Sequence, residues 1–214
     1  MCIRDSPEYF AKVLNAANWI GIDIEIDGEV FDLADCKVDD FRRVLNMREG
    51  FLERTFTATM KSGKMVKVEA KRFCSIVDDE MGALCYKIVA LNFSGEISIA
   101  PYVDFDVVNE DSNYDEKFWV ELGKDVVPRE GYVIAETKKT GFQVCTAMKF
   151  QVLKNGDVAD FNAGVFSREK YISSDVKINV TDDDEILIYK YAANLSSENP
   201  VSYTHLTLPT TCSV

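Results

Sequence analysis

The densest run of reactive side chains is residues 104–119, DFDVVNEDSNYDEKFW, where Asp104, Asp106, Glu110, Asp111, Asp115 and Glu116 supply six carboxylates. Three readings compete for such a set. A calcium loop needs oxygen ligands at alternate positions, and Asp111, Asn113 and Asp115 begin one. Glu116 then stands where the loop needs glycine, and Leu122 where it needs a bidentate glutamate, so the pattern fails. Two carboxylates could instead act as acid and base on a glycosidic bond, if the fold sets them at a suitable separation. The third reading is an acidic connection and helix cap, and composition favours it. Tyr102, Tyr114, Phe118 and Trp119 border the stretch. Exposed, these rings would stack on a sugar; buried, they would pack, and the spacing of Tyr114 and Phe118 favours packing. Asp111, Asn113, Tyr114 and Trp119 make up the candidate sugar-proximal loop.

Other chemistries lack their residues. The single histidine, His205, lies in a closing stretch, VSYTHLTLPTTCSV, with no charged residue in 14 positions. That stretch (201–214) and the opening MCIRDS (1–6) read as sequence artefacts and are set aside from fold reasoning. The body, 7–200, then holds no histidine, and its cysteines, Cys36, Cys74, Cys85 and Cys145, have no CxxC spacing. A zinc site is not expected, and the four read as reduced thiols, Cys74 and Cys145 as small core residues. The glycines stand singly at turns, so no phosphate-cradling loop is present. A formal charge of −12 argues against sequence-independent nucleic-acid binding. No run approaches the roughly 20 apolar residues of a membrane helix.

The elements that must position these groups read as antiparallel β. Ile20, Ile22, Ile24 and Ile26 alternate with Asp23 and Glu25, a half-buried strand closed by Asp27-Gly28. Phe51–Met60 puts Leu52, Phe56 and Ala58 on one face, and Met65–Val77 continues the parity through Val66, Val68 and Ala70. Arg72 falls on that apolar face, which predicts a strand end or bulge rather than a buried charge. The alternation recurs over 84–91, 97–108, 131–137, 142–153, 171–180 and 186–193, with Asn155-Gly156 a strong hairpin signal. Helical spacing occurs twice, at Phe10, Val13, Leu14 and Ala17 and at Tyr114, Phe118 and Leu122. One domain is expected, a mainly β antiparallel sandwich with one or two short helices.

Four segments, NAANWIGIDIEIDGE (15–29), FRRVLNMREGFLERTF (41–56), KRFCSIVDDEMGALCYKIVALNFSGEI (71–97) and NEDSNYDEKFW (109–119), together resemble the N-terminal domain of glycoside hydrolase family 65. The likeness covers nearly the whole body, in order. One departure is visible near Phe105, where the family usually has a small residue. The resemblance implies a galactose-mutarotase-like super-sandwich, truncated before Pro7, preceding an (α/α)6-barrel catalytic domain. The family's general-acid Glu and phosphate site lie in that barrel, so no catalytic, cofactor or metal residue carries over to this chain. The implied parent is a bacterial cytoplasmic enzyme, and a homodimer. It would cleave an α-glucosyl disaccharide, with inorganic phosphate as co-substrate and no other cofactor. Two alternatives stand beside this reading: a free-standing carbohydrate-binding sandwich using Tyr114 and Trp119, and an oligomerising module. Which disaccharide is cleaved, and whether by phosphorolysis or hydrolysis, is not encoded in these segments.

Overall fold

A computed structural model describes residues 13–109, 116–158 and 162–198. The described residues form strands joined by turns and loops. In chain order these are β1 (Ile22–Ile26), β2 (Glu29–Val30), β3 (Lys37–Asn46), β4 (Phe51–Thr59), β5 (Met65–Cys74), β6 (Met81–Ala90) and β7 (Gly95–Asp104). They continue as β8 (Trp119–Val127), β9 (Glu130–Thr137), β10 (Gln143–Lys154), β11 (Asp157–Val158), β12 (Ala163–Arg168), β13 (Tyr171–Val180) and β14 (Glu185–Ser196). A small sheet runs β12-β13-β7-β1-β2, and a large one runs β3-β4-β5-β6-β14-β10-β9-β8, with β11 paired to β10. All pairings are antiparallel, and the chain passes repeatedly from one sheet to the other.

Period-two alternation builds the core, because each strand turns alternate side chains toward the facing sheet. The small sheet contributes Ile24, Ile26, Ile97, Ile99, Val176 and Ile178. The large one answers with Phe56, Val68, Ile88, Phe150, Ile186 and Ile188. A second cluster, around Phe105, Trp119, Val133, Met148 and Ile172, fills the other end. The 155–156 turn is a two-residue hairpin with both residues at positive φ (52° and 88°), as Asn-Gly allows.

Two helical expectations are corrected. Trp119–Val127 is an edge strand paired to β9, with a register shift between Glu121 and Gly123 that leaves Leu122 exposed. The β-branched Val120, Val126 and Val127, and a turn at Arg129 (φ 72°), suit a hairpin better than a helix. Residues 13–17 are irregular, with Val13 exposed and Ala17 buried; Phe10 and Tyr114 lie outside the described residues. Cys74 is also corrected: it lies at the exposed end of β5, while Cys145 is buried. Arg72 lies two residues from the end of β5, exposed, in unbroken register with β4 and β6.

Candidate functional site

Of the candidate loop, Asp111, Asn113 and Tyr114 lie outside the described residues, and the structure places Trp119 in the interior. Its ring is 4% exposed, edge-on to Phe105 at 5.3 Å between centroids, and its Nε1 donates to the Asn15 carbonyl at 2.8 Å. A ring held in this way offers no free face for stacking a sugar. Both ends of the acidic stretch are fastened. Asn15 donates its backbone amide to Asn109 Oδ1 at 2.9 Å and its side chain to the Val108 carbonyl at 3.1 Å. Asn109 donates in return to the Val13 carbonyl at 2.6 Å. Asp106 accepts from Lys117 at 2.6 Å and lies 3.5 Å from Lys170. The Lys117 bond holds its carboxyl below the usual carboxylate range, so Asp106 is an ionised partner rather than a proton donor. Asp104 bonds the Asp106 amide at 2.7 Å and faces Arg168 at 3.5 Å.

A cleft of about 760 Å³ opens elsewhere, between the β1–β2 margin of the small sheet and the inner face of β3–β6. Its far wall carries Arg43, Arg54, Arg72 and Tyr86 among the apolar Leu52 and Leu84. Register brings these together: Arg43 is directly opposite Arg54 across β3 and β4, Arg54 opposite Ala70, and Ala70 opposite Tyr86. Arg72, opposite Leu52, is the diagonal neighbour of Arg54. Burial pushes the Tyr86 phenol up to about 12, while the Arg54 guanidinium, hydrogen-bonded to it, pulls the other way. Sequence reading marked Arg72 as out of place but passed over Arg54, at the same parity between Leu52 and Phe56.

Lys190 completes the picture from β14. It occupies the inward parity after Ile186 and Ile188 and is 0% exposed. Its ammonium reaches across the sandwich and donates to the carbonyls of Gly21 at 2.8 Å and Tyr102 at 2.6 Å. Burial lowers its pKa to about 7, against the opposing pull of the Asp23 carboxylate. Burial likewise raises Asp23. The amine cross-links two sheets through backbone acceptors, and a lysine at inward parity was the available sequence signal. Among the described residues, no group of three or more His, Cys, Asp or Glu is placed to hold a metal ion. No helix of the described residues is long and apolar enough to cross a membrane.

The geometry is that of a two-sheet antiparallel sandwich with an open cleft beside the β1–β2 margin. Residues 3–209 match the family described as glycosyl hydrolase family 65, N-terminal domain, and the chain belongs to that family. It is 39% identical over 136 residues to maltose phosphorylase of Bacillus subtilis (strain 168), covering 64% of this chain and 18% of that one. It is 32% identical over 151 residues to α,α-trehalose phosphorylase of Thermoanaerobacter brockii, covering 65% and 20%. The chain thus spans about a fifth of the length of these relatives. A solved structure described as a putative kojibiose phosphorylase from human microbiome shares the fold. Its TM-score is 0.74 at 19% identity, over 86% of this chain and 23% of that one.

Proposed function

We propose that this chain is the non-catalytic sandwich domain of an inverting disaccharide phosphorylase, serving a catalytic barrel in the same polypeptide. The observation that carries this is the match of residues 3–209 to an N-terminal domain family, together with relatives that are disaccharide phosphorylases. In the parent, a barrel glutamic acid protonates the glycosidic oxygen while phosphate attacks the anomeric carbon from the opposite face. The carbon–oxygen bond breaks, the proton stays on the departing sugar, and β-glucose 1-phosphate forms. Phosphate is already anionic, so it replaces both the water and the second carboxylate of an inverting hydrolase. No dissociable cofactor is needed. The enzyme works in the bacterial cytoplasm as a homodimer.

The sandwich serves by holding shape: Lys190 and the packed inner faces make a stiff platform, and residues 104–109 and 116–119 are fastened to it by their own hydrogen bonds and ion pairs. Grafting residues 7–200 in place of the matching segment of the Bacillus subtilis maltose phosphorylase tests the reading. The chimera is expected to release glucose 1-phosphate from maltose only when phosphate is supplied, and the isolated chain to release none. Turnover by the isolated chain would overturn it, as would a folded chimera without activity.

A further inference from the structure

The cleft has a feature that packing alone leaves unexplained. β2 pairs with only Glu25 and Ile26 of β1, and the Phe31 amide then donates to the Ile24 carbonyl at 2.9 Å. That bond fixes which way Ile24 faces. By the two-residue repeat of an antiparallel strand, the amide and carbonyl of Ile22 and the amide of Ile24 point toward the same side, the β2 side of the small sheet. None of the three has a hydrogen-bond partner among the described residues. Among the described residues, the small sheet therefore has an open edge at Ile22–Ile24, across the cleft from the inner face of β4–β6.

That inner face is chemically specific. Arg43 and Arg54 are directly opposite one another, an arrangement of like charges that costs free energy unless an anion lies between or beside them. Arg72 adds a third guanidinium on the same face. Asp23, Glu25 and Asp32 also line the cleft, yet no described carboxylate forms an ion pair with any of the three arginines. Leu52 and Leu84 lie between the cations and keep the wall partly apolar.

We propose that the open edge of β1 is a strand-addition site for a partner polypeptide segment that is extended and carries carboxylates on the face turned toward Arg43, Arg54 and Arg72. The incoming backbone satisfies Ile22 and Ile24, and its acidic side chains neutralise the facing guanidiniums. Main-chain bonds supply the affinity and the arginines supply the selection, as in other edge-recognition complexes.

The probe is an eight-residue capped peptide alternating threonine and glutamate, titrated into the full chain with amide hydrogen exchange as a second readout. Binding with a Kd below ~100 μM is expected, with slowed exchange at the Ile22 and Ile24 amides. N-methylation at alternate residues of the peptide, which removes its edge donors, is expected to weaken binding roughly tenfold or more, as is exchange of glutamate for glutamine. Arg72→Gln, at an exposed position, and Arg43→Gln should each weaken the parent peptide and spare the glutamine peptide. Absence of binding overturns the proposal. So does binding that ignores N-methylation or leaves Ile22 and Ile24 exchange unchanged, because the cleft is then only a site for anions. Full displacement of the peptide by millimolar inorganic phosphate overturns it in the same way. Self-association of the chain that the peptide does not compete away assigns the edge to a second copy and also overturns it.

Discussion

The same strands serve two different regions of this sandwich. Along β4 the inward side chains run Leu52, Arg54, Phe56, Ala58, and along β5 they run Val66, Val68, Ala70, Arg72. Where the small sheet lies above them, at Phe56, Ala58, Val66 and Val68, the residues are apolar and no more than 2% exposed. Where the small sheet stops, the same face carries Arg54 and Arg72. The backbone geometry is continuous across the boundary, and only the cover differs. Parity decides which face a side chain occupies, and the second layer decides what that face must be made of. A cation at inward parity therefore marks either the end of the cover, as at Arg72, or an amine that finds acceptors beneath it, as at Lys190.

Truncation in the covered region is expected to have the largest effect. Phe56 stacks on Phe31 and Phe41, at 6.5 and 6.1 Å between centroids, and is almost wholly buried. Phe56→Ala removes a ring from a close-packed site and should cost about 3–5 kcal/mol. Urea unfolding of the two proteins checks it. A loss below about 1 kcal/mol would show that the covered region is as tolerant as the open one, and the contrast would collapse.

Lys190 tests the boundary from below. Lys190→Ala removes the buried donor from the Tyr102 carbonyl, leaves the Gly21 carbonyl only the Tyr102 amide at 3.3 Å, and opens a cavity, an expected loss of about 3 kcal/mol. The sign of its pH dependence follows from the lowered pKa. Its ordinary value is 10.5 and its folded value about 7, so between these limits the unfolded chain holds a proton that the folded chain does not. The cost of burying the charge is fully present below pH 7 and is relieved as pH rises, by up to about 1.4 kcal/mol per unit. Asp23, which faces the amine and draws its pKa upward, works against this without reversing it. Cys145 and Tyr86, whose folded values are raised to about 11 and about 12, lower stability only as pH approaches their ordinary values of 9.0 and 10.0. The window from 7 to about 8.5 thus belongs to Lys190. Stability measured there should rise in the parent relative to Lys190→Met, and parallel curves would show that the amine does not titrate in the fold.

How far the architecture could be read in advance follows from the same contrast. Ile22, Ile24 and Ile26, or Val66 and Val68, are legible because one face is covered and the other wet, so alternation is written into residue type. β3 and β12 were not legible: most of their residues are exposed on both faces, and nothing forces a repeat. β8 reads as helix in the sequence because Phe118 and Leu122 keep a four-residue spacing, while the register shift beyond Glu121 conceals the strand parity. The candidate loop was legible as an acidic, aromatic stretch, and the interior role of Trp119 was not. Its anchoring partner, Asn15, is 104 residues away in sequence. The arginine wall was visible only as one odd residue, Arg72, because it is assembled by cross-strand register, which a single strand cannot reveal.

The smallest expected effect is the most discriminating. Arg72 is exposed, and the described residues give it no ion-pair partner, so Arg72→Gln should change stability by no more than about 0.5 kcal/mol. Its diagonal neighbour is another guanidinium, so the direction should be toward slight stabilisation, since one member of a repulsive set is removed. Added salt should shrink the difference, because the exposed cations are then screened from each other. Unfolding midpoints at low and high salt measure both points. A loss above about 1.5 kcal/mol that salt leaves unchanged would mean that Arg72 is held like Lys190, as a satisfied member of the core. The boundary between the two regions would then lie beyond the end of β5 instead of two residues before it.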